Sequence, residues 1–259
     1  PEAMNRTLQA LDEFSEAMRD AGTRRVRAVG TEALRKAVNG RDEFAERVEA
    51  QTGLALDIID GEEEARLSAA GVLAALSPQP EQCLIFDIGG GSTEFILVEA
   101  GKVRFHKSYP LGVVRLAEGV GRAELPSAIE SILHRFSRDL SAASVSLETG
   151  NNLALVGTAG TVTTLAAIDM EMVDYDWRRV NNHQLDRQEL DIMYRRLLPL
   201  SAEQREEIAG MEKGRGDLIV PGLTIVRMLM EQVGCSRLTV SDFGLLEGVL
   251  IDLDRKRSH

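Results

Sequence analysis

Cysteine is nearly absent: Cys83 and Cys235 are two residues in a chain of 259. Two thiols build no disulfide framework, and their expected state is that of small buried hydrophobes in a reducing cytoplasm. With four histidines beside them, no Cys/His spacing fits a zinc site. No apolar run approaches the ~18 residues that span a bilayer. The opening residues, Pro1-Glu2-Ala3-Met4-Asn5, lack the basic-then-apolar order of a secretory signal. An excess of cations is missing too: 30 Lys and Arg face 41 Asp and Glu, for a net charge of −11. Such a chain is not expected to coat nucleic acid or an anionic membrane. An anionic substrate would have to be met locally, by backbone amides, a few cations or a metal.

What the sequence does have is alternation. Leu8, Leu11, Phe14 and Met18 mark a first helix that stops at Gly22. Strands are expected at 25–29, 54–59, 83–86, 95–98, 102–109, 153–156 and 238–240, with a hairpin turn at Ala100-Gly101. Helices are expected between them, at 44–50, 62–76, 186–197, 202–208, 218–232 and 245–253. Another, with its apolar face at Ile129, Ile132, Leu133, Phe136 and Leu140, starts at Pro126-Ser127 with a capping box to Glu130. Strands alternating with helices predict an α/β fold with largely parallel sheets, made mixed by the hairpin. Ser77-Pro78-Gln79-Pro80 is the clearest linker, so a first domain over 1–77 and a second over 81–243 are expected.

The halves echo each other. Val29-Gly30-Thr31 and Val156-Gly157-Thr158 each end a strand and open a helix; Ile59-Asp60-Gly61 and Val240-Ser241-Asp242 each end a later strand before a helix. The pattern reads as a duplicated fold. Asp87 precedes Gly157 by 70 residues, whereas 29 residues precede Gly30, so the first copy is expected to be short by 41, the length of an opening hairpin and its loop.

The strongest chemical signal is Asp87 to Glu94, DIGGGSTE. Gly89, Gly90 and Gly91 let the backbone approach a ligand closely. Their amides, with those of Ser92 and Thr93, can converge on a phosphate oxygen. Asp87, at the end of a central strand, is placed for a hydrated Mg²⁺ or other divalent cation. The run matches neither GxGxxG before a helix nor GxxxxGK[ST]. Gly157-Thr158-Ala159-Gly160-Thr161 forms a second small-residue loop that can hold phosphates. Glu62, Glu63 and Glu64 open a helix, where acids favour the dipole and where one can serve as a general base. Residues 21–36 carry a local charge of +4, from Arg24, Arg25, Arg27, Arg35 and Lys36 against Glu32. Arg35 is the one expected on a phosphate. His106, Lys107, Arg115, Arg178 and Arg179 are the cations that would extend a polyanion track.

These runs carry a family resemblance. RVRAVGTEALRK from Arg25, IIDGEEEARL from Ile58, DIGGGSTE from Asp87, VGTAGTVTTLAA from Val156 and SDFGLLEGVL from Ser241 together resemble the exopolyphosphatase/guanosine pentaphosphate phosphohydrolase family. The resemblance covers essentially the whole chain. It implies the duplicated α/β fold of the actin-like ATPase and sugar-kinase superfamily, with an interdomain cleft and a closing helix at about 244–255 that packs back on the first domain. It implies Glu64 as catalytic base, Asp87 and Glu94 as metal acids, Arg35 and Gly89 to Thr93 as phosphate ligands, and Gly157 to Thr161 on the far wall. The family's first phosphate loop, Asp-x-Gly-[Ser/Thr]-Asn-Ser, has no match here, in keeping with the 41-residue shortfall; a first domain truncated at its N-terminus is expected.

The expected reaction is release of terminal phosphate from inorganic polyphosphate by metal-assisted hydrolysis of a phosphoanhydride. Guanosine pentaphosphate is the alternative substrate, and a non-catalytic sensor of guanosine tetra- or pentaphosphate the alternative class. A sugar or acetate kinase is disfavoured by the glutamate run before Ala65-Arg66. A homodimer would lengthen a groove for the polymer.

Overall fold

The computed structural model describes residues 2–37, 39–121, 123–147 and 153–256. The chain divides into two compact units, one running to Arg66 and resuming at Val249, the other spanning Leu67–Gly248.

The first unit contains α1 (Glu2–Asp20), β1 (Ala28–Gly30), α2 (Glu32–Arg35), α3 (Arg41–Thr52), β2 (Leu56–Ile58) and the start of α4 (Gly61–Ala75). The apolar face of α1 meets α3: Leu8 is buried with Phe44 and Val48, and Met4, Leu11 and Leu34 pack around them. Gly53, at φ 74°, closes α3 in the left-handed conformation that suits glycine. β1 and β2 pair in parallel from Ala28↔Leu56 to Gly30↔Ile58. Both strands are shorter than expected because their ladder has three positions, and β1 begins three residues later than its alternation suggests.

The second unit holds β3 (Gln82–Ile88), β4 (Thr93–Glu99), β5 (Lys102–Tyr109), α5 (Val113–Gly119), α6 (Leu125–Ala142), β6 (Leu153–Thr158), α7 (Ala159–Asp169), α8 (Trp177–Val180), β7 (Gln184–Asp186), α9 (Arg187–Leu197), α10 (Ala202–Glu206), α11 (Ile219–Val233), β8 (Arg237–Val240) and the start of α12 (Leu245–Arg255). Its sheet has the order β5-β4-β3-β6-β8-β7 and is mixed as expected: β3 is antiparallel to β4 and parallel to β6. Cys83 to Phe86 is an unbroken apolar run because β3 is central and these side chains are buried on both faces. Ala100 and Gly101, at φ 48° and 73°, supply the two left-handed positions of the hairpin turn. Phe136 of α6 stacks on Phe95 of β4 with centroids 4.3 Å apart.

One cap differs from expectation. α6 begins at Leu125 with Pro126 in its first turn, and the Ser127 hydroxyl donates back to the Glu124 carbonyl at 2.9 Å instead of forming a box with Glu130. A capping box forms at α10, where the Gln204 amide donates to Ser201 Oγ at 3.2 Å and the Ser201 amide to Gln204 Oε1 at 2.9 Å. Among the described residues no helix is long and apolar enough to cross a membrane.

The internal echo is visible in the hydrogen bonding. The Gly30 carbonyl accepts from the Ile59 amide at 3.1 Å, and the Gly157 carbonyl accepts from the Ser241 amide at 2.9 Å. A β-carbon at Gly30 would fall 2.6 Å from Leu34 Cδ1, and one at Gly157 would fall 2.8 Å from Val162. In both units the helix that follows packs directly onto the strand-ending glycine.

The far half of α12 lies in the first unit and is held by charge. Asp252 receives Arg27 at 3.0 Å, Arg66 at 2.9 Å and Lys256 at 3.0 Å. Arg27 also binds Asp57 at 2.8 Å, and Arg66 binds Glu63 at 2.7 Å. Arg27 is therefore spent among carboxylates, Arg25 donates to the Leu253 carbonyl, and Lys36 pairs with Glu32. Of the positive charge read from residues 21–36, that of Arg27 and Arg35 is met by carboxylates distant in sequence, Asp57, Asp252 and Glu64.

Bonds from Arg66 hold the Glu63 carboxyl below its usual range. Burial opposes ionisation of Asp252, but Lys256 and Arg66 outweigh it and its carboxyl too is lowered. Depressed folded-state values stabilise the fold above the ordinary carboxylate range near pH ~4, and that stability is lost as pH falls through them. The urea midpoint is therefore expected to drop between about pH 6 and about pH 3, and Asp252→Asn to flatten that drop. An unchanged slope in the variant would remove Asp252 from this account.

Candidate active site

The loop between β3 and β4 is shaped by α5. The amides of Val113 and Val114 donate to the Gly89 and Gly90 carbonyls at 3.1 and 2.9 Å, and the Arg115 amide shares Gly90 at 3.1 Å. Arg115 Nε takes the Gly91 carbonyl at 3.1 Å. These bonds satisfy donors that a helix N-terminus otherwise leaves without partners. They also orient the loop: with the three carbonyls turned to α5, trans peptide geometry turns the amides of Gly90, Gly91 and Ser92 the other way. The approach depends on Gly112, where a β-carbon would fall 2.3 Å from the Gly90 carbonyl oxygen.

The acids of the motif align across the sheet. Register pairs Ser108 with Glu94, Glu94 with Asp87, and Asp87 with Thr158, so the four share one face of four adjacent strands. Glu94 Oε1 accepts from Ser92 Oγ and Ser108 Oγ, each at 2.9 Å. Asp87 and Glu94 are thus adjacent half-buried carboxylates beside the amide loop. Among the described residues no group of three His, Cys, Asp or Glu is placed to hold a metal. Two carboxylates do fit a Mg²⁺, which keeps several waters and completes its shell with substrate phosphate oxygens.

Other expected ligands are placed differently. Thr93 is fully buried, and its hydroxyl donates to the Leu111 carbonyl and not toward the loop. Gly157 to Thr161 is not an open loop: β6 runs to Thr158 and α7 begins at Ala159. Gly157 is packed against Phe86; Thr158 donates to the Phe243 carbonyl at 3.0 Å and Thr161 to the Ile88 carbonyl at 3.4 Å. Of the five, Ala159 and Gly160 are the partly exposed residues. Ala159 holds φ at +64°, a left-handed conformation that costs a non-glycine residue about 1–2 kcal/mol.

Arg215 escaped the sequence reading. A β-carbon at Gly160 would fall 2.1 Å from its guanidinium, so the glycine makes room for a cation over the start of α7. Arg215 also binds Glu212. The signal available was an arginine between two glycines, Gly214 and Gly216. Of the distal cations, Lys107 pairs with Asp139 at 2.9 Å and Arg178 lies 4.5 Å from the Trp177 ring.

In the first unit, the three glutamates at the head of α4 have different surroundings. Glu62 is exposed, Glu63 belongs to the Arg27–Arg66 network, and Glu64 pairs with Arg35 at 2.8 Å. The side chains of Arg35 and Glu64 are 27% and 24% exposed, reachable by water but not free to swing.

The model of the Ppx/GppA phosphatase family matches residues 1–257. Exopolyphosphatase 2 of Mycobacterium tuberculosis is 34% identical over 98% of this chain and 82% of its own. A guanosine-5'-triphosphate,3'-diphosphate pyrophosphatase of Photobacterium profundum is 30% identical over the whole of this chain and 50% of its own. The crystal structure of the Aquifex aeolicus Ppx/GppA family member superposes with a TM-score of 0.83 at 30% identity, covering all of this chain and 83% of that one. The chain therefore belongs to the Ppx/GppA phosphatase family, and it is a phosphoanhydride hydrolase.

Proposed function

We propose that the protein is an exopolyphosphatase, releasing the terminal phosphate of inorganic polyphosphate. The observation that carries this reading is the amide loop at Gly89–Ser92, turned outward by α5 and flanked by Asp87 and Glu94. The amides of Gly90, Gly91 and Ser92 hold the terminal phosphoryl oxygens, where fixed donors need no reorganisation as charge develops. Asp87 and Glu94 would hold a divalent cation such as Mg²⁺, which when bound neutralises phosphate charge. Glu64 orients and deprotonates the attacking water. Ala159 and Gly160, with Arg215 above them, offer further contacts to the anion.

A second reading, hydrolysis of guanosine pentaphosphate, is favoured by a cavity of about 430 Å³ beside α7, lined by Thr163, Met172, Tyr175, Met211 and Glu212. Its size and its apolar walls with a few polar groups suit a nucleoside. Phosphate release measured side by side decides between them. A higher kcat/KM on polyphosphate is expected; equal values would remove the preference, and a higher value on the nucleotide would reverse it.

A further inference from the structure

The inference concerns Arg35 and rests on the reading of Glu64 as the group that orients the attacking water. We propose that Arg35 is a positioning residue for Glu64, and that its main service to the reaction passes through that carboxylate. Arg35 is the last residue of α2. Its Nη1 carries two hydrogens, and both have acceptors: the Ile59 carbonyl at 2.7 Å and Glu64 Oε2 at 2.8 Å. The first acceptor is fixed backbone, because Ile59 itself donates to Gly30 at 3.1 Å and so continues the β1–β2 pairing. A guanidinium is planar, so anchoring one N–H sets the direction of the next.

The backbone of Glu64 is fixed separately. Its amide donates to the Asp60 carbonyl at 3.0 Å, and Asp60 Oδ1 caps the helix by accepting from the Glu63 amide at 2.8 Å. The cap sets where the side chain starts, and Arg35 sets where it points. A carboxylate held through Oε2 keeps Oε1 to accept from a water. The group on the water has to orient it in line with the leaving oxygen as well as take its proton. A glutamate with three rotatable bonds supplies orientation only when something else holds it, and misplacement by about 1 Å can cost ~10²-fold. Both hydrogens of Nη1 are thus committed to Ile59 and Glu64, and these two bonds fix the direction of the whole guanidinium, including its remaining donors on Nη2 and Nε.

A double-substitution cycle tests this. Arg35→Ala is expected to lower kcat on polyphosphate by about 10- to 100-fold while KM stays within about twofold. In a Glu64→Ala background, with no carboxylate left to position, the same change should lower kcat little further. Arg35→Lys, whose ammonium can serve both acceptors, should recover part of the lost kcat. A phosphate ligand behaves otherwise: KM rises by the same factor in both backgrounds, or kcat falls equally in both, and either result overturns the proposal. Should Arg35→Ala fail to fold, Arg35→Lys carries the cycle: a kcat loss confined to the Glu64 background supports the proposal, and an equal loss in both overturns it. Undiminished hydrolysis by Glu64→Ala alone would instead remove the reading of Glu64 on which the proposal rests.

Discussion

Glu64→Gln is expected to lower kcat by about 10³-fold, inside the 10²–10⁴ range that a positioned general base contributes, with little change in KM. The amide keeps the shape of the side chain and can still accept from Arg35, so the loss isolates basicity from geometry. The neighbours are the control. Glu63→Gln disturbs the ion pairs with Arg66 and Arg27 and should lower stability more than turnover. Glu62→Gln, at an exposed position, should change neither appreciably. Steady-state phosphate release and thermal unfolding of the three variants separate these outcomes. A Glu64→Gln enzyme with undiminished kcat would remove Glu64 from its role.

Gly112→Ala is the second large effect, and it lies outside the glycine-rich motif. Its new methyl carbon would sit 2.3 Å from the Gly90 oxygen and 2.4 Å from the Gly91 carbonyl carbon. Backbone cannot yield as a side-chain tip can, and overpacking of this kind costs about 1–3 kcal/mol or more. Moving α5 off the loop would also release the carbonyls that aim the amides, and losing one such donor costs about 10²–10³ in kcat. Gly91→Ala provides the contrast: its methyl would meet nothing within 4 Å, so stability should hold within about 0.5 kcal/mol. Wild-type melting and activity in Gly112→Ala would overturn the close packing of α5 on the loop.

What could be read from the residues follows the range of the forces involved. The hairpin and the central strand depend on neighbours in sequence and on a period of two, and they were legible; the alignment of Asp87 with Glu94 is a matter of strand register and was not. α7 was not delimited, because its residues from Thr161 to Ile168 are all buried and so carry no amphipathic period. α5 was missed because its seven residues form around contacts with a loop more than twenty positions earlier. The same distance in sequence hid the partners of Arg27: Asp57 and Asp252 lie 30 and 225 residues away. A run of arginines looks like an anion site until its carboxylates are found. At Thr93 the alternation of β4 turns the hydroxyl into the core, so any part it has in the loop falls to its backbone amide.

The return of α12 has a consequence for biosynthesis. The second unit is one continuous stretch, so all of it is synthesised before Val249 to Arg255. The first unit is translated earlier yet lacks Asp252, the acceptor of Arg27 and Arg66, until the end of this stretch emerges from the ribosome. Domains generally fold as units during synthesis, in order from the N-terminus; here the first unit can be completed only after the second has been synthesised. Until then Arg27 and Arg66 have only Asp57 and Glu63 for company, and the nascent first unit is the part a chaperone or protease would meet open.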